Sequence, residues 1–306
     1  MNMSVFSRFQ PAERAYFEKL RAQGATRFAS DPLVEGWQLR EGVWSFLSTS
    51  PGAGGDAWMH LIIGPERALL VDTGFGIGDL KALVEEITDK PYDVVNTHCH
   101  GDHTLGNFQF DRVYCHEYDA DSIRAQMDPA AQARFVPKEG AYYKAEDVVK
   151  VRPYEVVGVP HGYIFDLGGG HEVELFHLPG HAPGGCGLLD KKNRILFSGD
   201  AVVSSPGLIC GAVRDAAHAQ ACTIRAFHDR LVQLCERIGE FDVLYPGHNF
   251  LEYPAQAVED MRQLCSEVMA DPNCHDDEDE VWPGGAPAKL KIVGYVSVAY
   301  TDDRIG

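Results

Sequence analysis

The sequence predicts an α/β protein. Short apolar runs that stop at glycine or proline alternate with stretches whose apolar residues recur every three or four positions. With 306 residues and 45% apolar content, the chain can bury one large core or two modest ones. A third observation is local. Ala68 to Asp72 reads as a strand, Ile77, Leu80, Leu83, Val84 and Ile87 repeat at helical spacing, and Val94 and Val95 belong to a second apolar run. Strand, helix and strand in that order form a β-α-β unit.

The elements follow along the chain. Pro11 to Arg21 predicts a short helix, and an irregular stretch continues to about Glu41. Together they form an N-terminal extension, 1–41, suited to capping the fold or meeting a partner. Val43 to Ser48 and Trp58 to Ile63 read as strands separated by a Pro51 to Gly55 turn, with Gly64 and Pro65 ending the second. Val113 to His116 is a further short strand, and 117–127 predicts a helix. Glu172 to His177 alternates as a strand, and Arg194 to Gly199 and Phe241 to Tyr245 are apolar strands. Ala221, Ile224, Phe227, Leu231, Leu234 and Ile238 mark one helix, and Val258, Met261, Leu264 and Val268 another. The two halves look alike, with no shorter repeat, so 42–306 reads as one domain.

An insertion is expected around 128–160, because the chain between His103 and His181 is longer than two strand-helix units require. It carries Phe135, Tyr142, Tyr143 and Tyr154. Such a segment is either a lid or substrate wall, or a surface elaboration pinned by its own aromatics. Tyr142 and Tyr143 are substrate-contact candidates on the first reading. Ser204 to Asp215 is a second candidate wall, where Arg214 is either an anchor for a carboxylate or phosphate or a solvated side chain.

The chemistry is concentrated where the Val94–Val95 run empties into His98, Cys99, His100, Gly101, Asp102 and His103. Three imidazoles and a carboxylate within six residues suit zinc, iron or manganese. In extended backbone His98 and His100 face the same side and Cys99 the other, so Cys99 reads as packing. Gly101 lets the chain reverse and sends Asp102 and His103 elsewhere. That favours His98 and His100 on one ion, and Asp102 and His103 on a second. Later ligands should sit at glycine or proline breaks after strands. His181 in Pro179-Gly180-His181, Asp200 after Gly199, and His248 in Pro246-Gly247-His248 meet this condition. His60 and His177 lie on strand patterns and read as structural histidines or groups behind the ligands.

In this order, HxHxDH, PGH, GD and PGH resemble the metallo-β-lactamase-fold hydrolases over about residues 42–250, with Val71-Asp72-Thr73-Gly74 matching an early turn of that family. The resemblance implies a four-layer αββα sandwich of two mixed sheets with metals at one rim. It also implies that His98, His100 and His181 bind a first ion, that Asp102, His103 and His248 bind a second, and that Asp200 bridges them. Asp72 would stand behind the ligands, hydrogen-bonding a ligand imidazole.

Two divalent ions about 3.5–4 Å apart, most readily zinc, would share a bridging hydroxide formed at neutral pH. Asp102 and Asp200 are therefore the catalytic candidates, Asp102 through orienting the nucleophile or passing its proton. Cleavage of a small ester, thioester or lactone is expected. True β-lactamases of the family usually place a cysteine where Asp200 stands, so the glyoxalase II-like and lactonase-like branches fit better. The alternatives are a mononuclear iron dioxygenase using His98, His181 and Asp200, and a non-catalytic metal-binding relative.

Composition limits the partners. A net charge of −18 without a basic cluster argues against nucleic acid and leaves a small-molecule substrate. A homo-oligomer stays open. Eight cysteines without a CxxC pair read as reduced thiols. With neither a leader pattern nor a membrane-length apolar run, they lead to the expectation of a cytoplasmic protein. The acidic run Asp276 to Glu280 is expected to be a solvated loop.

Overall fold

The computed structural model describes residues 5–49, 56–128, 130, 142–211, 213, 216–281 and 285–306. The first sheet runs in chain order: β1 (Thr26–Arg27), β2 (Val34–Arg40), β3 (Val43–Ser48), β4 (Met59–Ile63), β5 (Ala68–Val71), β6 (Tyr92–Val95), β7 (Arg112–His116) and β8 (Glu155–Val159). Neighbours are antiparallel up to β5 and parallel from there to β8. The second sheet contains β9 (Ile164–Asp166), β10 (Glu172–His177), β11 (Cys186–Asp190) and β12 (Ile195–Gly199), joined antiparallel. It continues through β14 (Val243–Pro246), parallel to β12, and ends at β15 (Tyr253–Pro254). The helices that matter for packing are α1 (Val5–Ala22), α2 (Leu80–Ile87), α3 (Ala120–Ala125), α4 (Ile224–Cys235) and α5 (Gln256–Ala270).

Strands apolar along their whole length, such as β5, have no face to give to water. Trp58, Val71, Val95, Leu188, Phe197 and Tyr245 meet between the two sheets. Leu80, Leu83 and Val84 of α2 and Ile123 of α3 cover the outer face of the first sheet against Phe46 and Val113. Phe227 and Leu231 of α4, with Met261 and Leu264 of α5, cover the second against Phe176 and Leu196. Helices, sheet, sheet and helices give the expected α/β sandwich.

Three expectations change. The irregular stretch up to Glu41 contains β1 and β2. A fully buried Glu35, paired with Arg21 and with Arg27 at 2.9 Å, interrupts the apolar pattern that would have revealed the strand. Gly36 there leaves room for the rings of Phe28 and Phe46, since a Cβ would stand 2.8 Å from Phe46. The acidic run is not a solvated loop, because Asp277–Glu280 forms β16 at the edge of a third sheet. The other members are β13 (Gly207–Ile209), β17 (Pro287–Val293) and β18 (Val296–Tyr300), in the order β13-β18-β17-β16. Glu278 lies opposite Lys289, and an acidic edge discourages further strand pairing. Within the expected insertion, 155–159 is instead a strand of the first sheet, and Tyr154 is a core residue, 5.6 Å from Phe108 ring to ring. Phe135, Arg214 and the 51–55 turn lie outside the described residues.

Trp58 connects this core to the rim. It is fully buried, its ring meets Trp37 and Phe17 at 5.7 and 5.9 Å, and its indole N–H donates to Asn249 O at 2.9 Å. Its backbone N–H donates to Gly247 O at 2.7 Å, so both neighbours of His248 hang from this residue. Trp58→Ala is expected to lower unfolding free energy by about 3–5 kcal/mol in urea titrations. Trp58→Phe should cost less, through the orphaned Asn249 carbonyl.

Candidate metal centre

The candidate residues come from separate places in the chain and converge at one rim. β6 ends at Val95, and the chain then turns so that 101–104 forms a single helical turn. Asn96 Nδ2 and the Thr73 hydroxyl both donate to His103 O, at 3.0 and 3.1 Å, and the Thr73 N–H does so at 2.9 Å. His181 arrives from the β10–β11 turn, Asp200 from the end of β12 and His248 from the end of β14. Glycine at 247 is required, because a Cβ there would lie 2.4 Å from Asp200 Oδ1 and 2.8 Å from His103 Cε1.

Four of the five imidazoles are turned by what their outer nitrogen meets. His181 Nδ1 donates to Leu208 O at 3.0 Å, His248 Nδ1 to Asp56 O at 3.2 Å, and His103 Nδ1 to Asp72 Oδ2 at 2.8 Å. His98 Nδ1 lies 3.1 Å from Thr97 Oγ1, whose hydroxyl donates to Asp72 Oδ2 at 2.8 Å. An Nδ1–H used outward leaves Nε2 as an inward lone pair. His100 presents Nδ1, at 3.0 Å from His98 Nε2 and 2.8 Å from His181 Nε2.

Three overlapping groups of donor atoms result among the described residues: His98, His100 and His181 form one, Asp102, His103 and His248 a second, and His98, His103 and Asp200 a third that joins them. In the second, His103 Nε2 is 3.2 Å from His248 Nε2, and Asp102 Oδ2 is 3.2 Å from His248 Nε2. Asp200 stands between them. Its Oδ2 is 3.4 Å from His181 Nε2 and 3.5 Å from His248 Nε2, and its Oδ1 is 3.4 Å from His103 Nε2. Oδ1 is buried without a hydrogen bond, which a carboxylate tolerates where a cation lies beside it. Converging imidazole nitrogens, two carboxylates and this orphaned oxygen fit divalent ions.

The electrostatics divide along the same line. Burial and neighbouring imidazoles hold His98 well below the usual histidine range and push His100 down to about 3, so these rings are neutral. Burial acts the same way on His103 and His248, but the carboxylates of Asp200 and Asp102 overcome it. His103 rises well above its ordinary value and His248 rises to about 10. Burial would raise Asp102 and Asp200, and the neighbouring His103 and His248 hold both below the carboxylate range instead. Carboxylates that retain protons on their neighbours in this way occupy positions where a cation can replace those protons.

Other candidates are placed less centrally. Tyr142 lines an apolar cleft with Val34, Met59, Phe75, Ile77 and Leu80, bordered by Asp56, whose carbonyl holds His248. Tyr143 meets Tyr142 edge-on at 5.1 Å. His60 is buried against Ser45 Oγ at 2.9 Å and pushed down to about 3 by burial. His177 stacks on His116 at 3.8 Å and belongs to neither donor group.

The profile of the Metallo-beta-lactamase superfamily matches residues 52–264. The chain belongs to this superfamily. Over 228 residues it is 27% identical to the acyl-coenzyme A thioesterase MBLAC2 of Homo sapiens, covering 69% of this chain and 79% of that protein. It is 27% identical over 213 residues to the Gallus gallus protein of the same name, covering 64% and 73%. The metallo-beta-lactamase family protein TTHA1429 from Thermus thermophilus superposes with a TM-score of 0.53 at 20% identity, covering 79% of this chain and 85% of that one. The DIM-1 metallo-beta-lactamase superposes at 0.52 and 18%, covering 78% and 99%. These two likenesses show the fold. An aspartate at position 200 agrees with a member that is not a true β-lactamase.

Asp72 is the hinge of the superfamily signature in this chain. It adopts a left-handed φ of 60°, accepts from Thr97 N at 2.7 Å and orients His103. Asp72→Ala is expected to lower the affinity of the donor group that includes His103 for a divalent ion by about 10–100-fold in chelator competition, while the His98, His100 and His181 group is affected less.

Proposed function

We propose that the chain is a dinuclear metal-dependent hydrolase whose substrate is a thioester with an apolar acyl group. The single observation that carries the reading is the placement of Asp200 between two complete donor groups. His98, His100 and His181 would hold one ion, and Asp102, His103 and His248 the other, with Asp200 reaching both. Zinc suits this donor set best. Ions in such positions supply a polarising contact for a carbonyl oxygen and a water acidic enough to serve as nucleophile near neutral pH.

The chain's own residues do the rest. Asp102 Oδ2, 3.2 Å from His248 Nε2, is placed to orient an attacking water and accept its proton. Asp72, Leu208 and Asp56 fix ring angles, so that little reorganisation is needed during turnover. Met59, Phe75, Ile77 and Leu80 would give the acyl group an apolar wall, with Tyr142 beside them. The relatives named acyl-coenzyme A thioesterase support a thioester over an ester or lactone. In this reading 42–306 is the hydrolase domain, and 1–41 is its extension, seated through Phe17, Leu20 and Trp37.

The test is a panel of acyl-thioesters, oxygen esters, lactones, phosphodiesters and oligonucleotides with metal-replete protein. An acyl-thioester should give the highest kcat/KM, by about tenfold or more. Chelation should abolish turnover, and Asp200→Ala should reduce it by far more than His60→Ala or His177→Ala. A phosphodiester or oligonucleotide cleaved fastest would overturn the substrate class, and equal losses in the three variants would overturn the ligand set.

A further inference from the structure

The segment after β7 reaches the metal centre without contributing to either donor group. Asp119 is fully buried, and its two carboxylate oxygens serve two different loops. Oδ2 accepts the backbone N–H of Cys99, the residue between His98 and His100, at 2.8 Å. Oδ1 accepts the backbone N–H of Gly184, three residues past His181, at 2.7 Å. Glycine at 184 lets the loop come this close, since a Cβ would stand 2.7 Å from both Asp119 Cγ and Asp119 N. Gln126, just beyond α3, grips the other side of the first loop. Its amide donates to Cys99 O at 2.6 Å and its oxygen accepts the Thr104 hydroxyl at 2.7 Å. The two loops have a separate tie in Cys186 N donating to Thr97 O at 2.8 Å, so they stay joined when Asp119 is altered.

We propose that Asp119 is a positioning residue for the metal centre: by holding the Cys99 and Gly184 amides on one carboxylate, it sets where His181 stands relative to His98 and His100. The inference rests on the metal reading and is independent of the substrate. A carboxylate is needed because both contacts are acceptor contacts. An asparagine in the same place presents one oxygen and one NH2, so it leaves one buried N–H facing a donor. Displacing a ligand loop by a fraction of an ångström weakens a site without removing any ligand.

The experiment is cobalt(II) titration of wild-type protein, Asp119→Asn and Gly184→Ala, read by d–d absorption, chelator competition and thermal unfolding without metal. Gly184→Ala keeps the carboxylate and forces the loops apart, so it reports on the same spacing if Asp119→Asn folds poorly. Asp190→Asn is the control, since Asp190 is equally buried and bonded to His171, Lys192 and Asn193. The expected result is a loss of cobalt affinity of about 10–100-fold and a changed absorption in both test variants, with both unchanged in the control at comparable loss of stability. Test variants that lose stability but keep wild-type affinity and absorption overturn the proposal alone. Wild-type protein that takes up no cobalt overturns it together with the metal reading.

Discussion

A half-buried carboxylate whose one buried oxygen is left without a hydrogen bond is the constraint to which the rest of this structure answers. Asp200 sits among His98, His103, His181 and His248, at the one rim where the ends of β6, β12 and β14 come together. Such a group is unfavourable unless positive charge accompanies it. Without ions, that charge comes from protons held on His103 and His248. On the proposed reading the same carboxylates and inward imidazole nitrogens would provide two coordination sets, and those protons would have to leave. The surrounding architecture, from Trp58 suspending the His248 loop to Asp72 orienting His103, keeps the side chains from relaxing away from one another.

The same arrangement gives specificity of chemistry a physical origin. The protein carries a net charge of −18, yet its site concentrates imidazole and places an apolar cleft beside one donor group. The sequence has no basic cluster, and the apolar residues Met59, Phe75, Ile77 and Leu80 line a cleft that Asp56 borders. An apolar wall and the converging imidazole nitrogens thus share the Asp56 segment, whose carbonyl accepts from His248 Nδ1.

Much of the candidate site was legible because its donors follow apolar strands, closely as at His98 or across a glycine or proline turn as at His181, Asp200 and His248. Val94-Val95 before His98, Phe197-Ser198-Gly199 before Asp200, and Pro246-Gly247 before His248 are all local patterns. The helices α2, α4 and α5 were legible from apolar spacing. What escaped were residues whose role depends on distant backbone. Asp119 and Gln126 look like ordinary polar residues near a short helix, and nothing in their spacing reveals that the amides of Cys99 and Gly184 will be brought to them. β2 was hidden because Glu35 is buried with arginine partners, and β16 because four acidic residues do not resemble a strand until Lys289 and its neighbours pair with them. The core position of Tyr154 is illegible for a related reason: an aromatic in a loop-rich stretch says nothing of whether Phe108 lies beneath it.

The most direct measurement is anomalous scattering at the zinc edge from crystals of metal-replete protein. Two peaks flanking Asp200, one bounded by His98, His100 and His181 and the other by Asp102, His103 and His248, are the predicted result. A single peak bounded by His98, His181 and Asp200 alone, with the other donor group empty, would contradict the account.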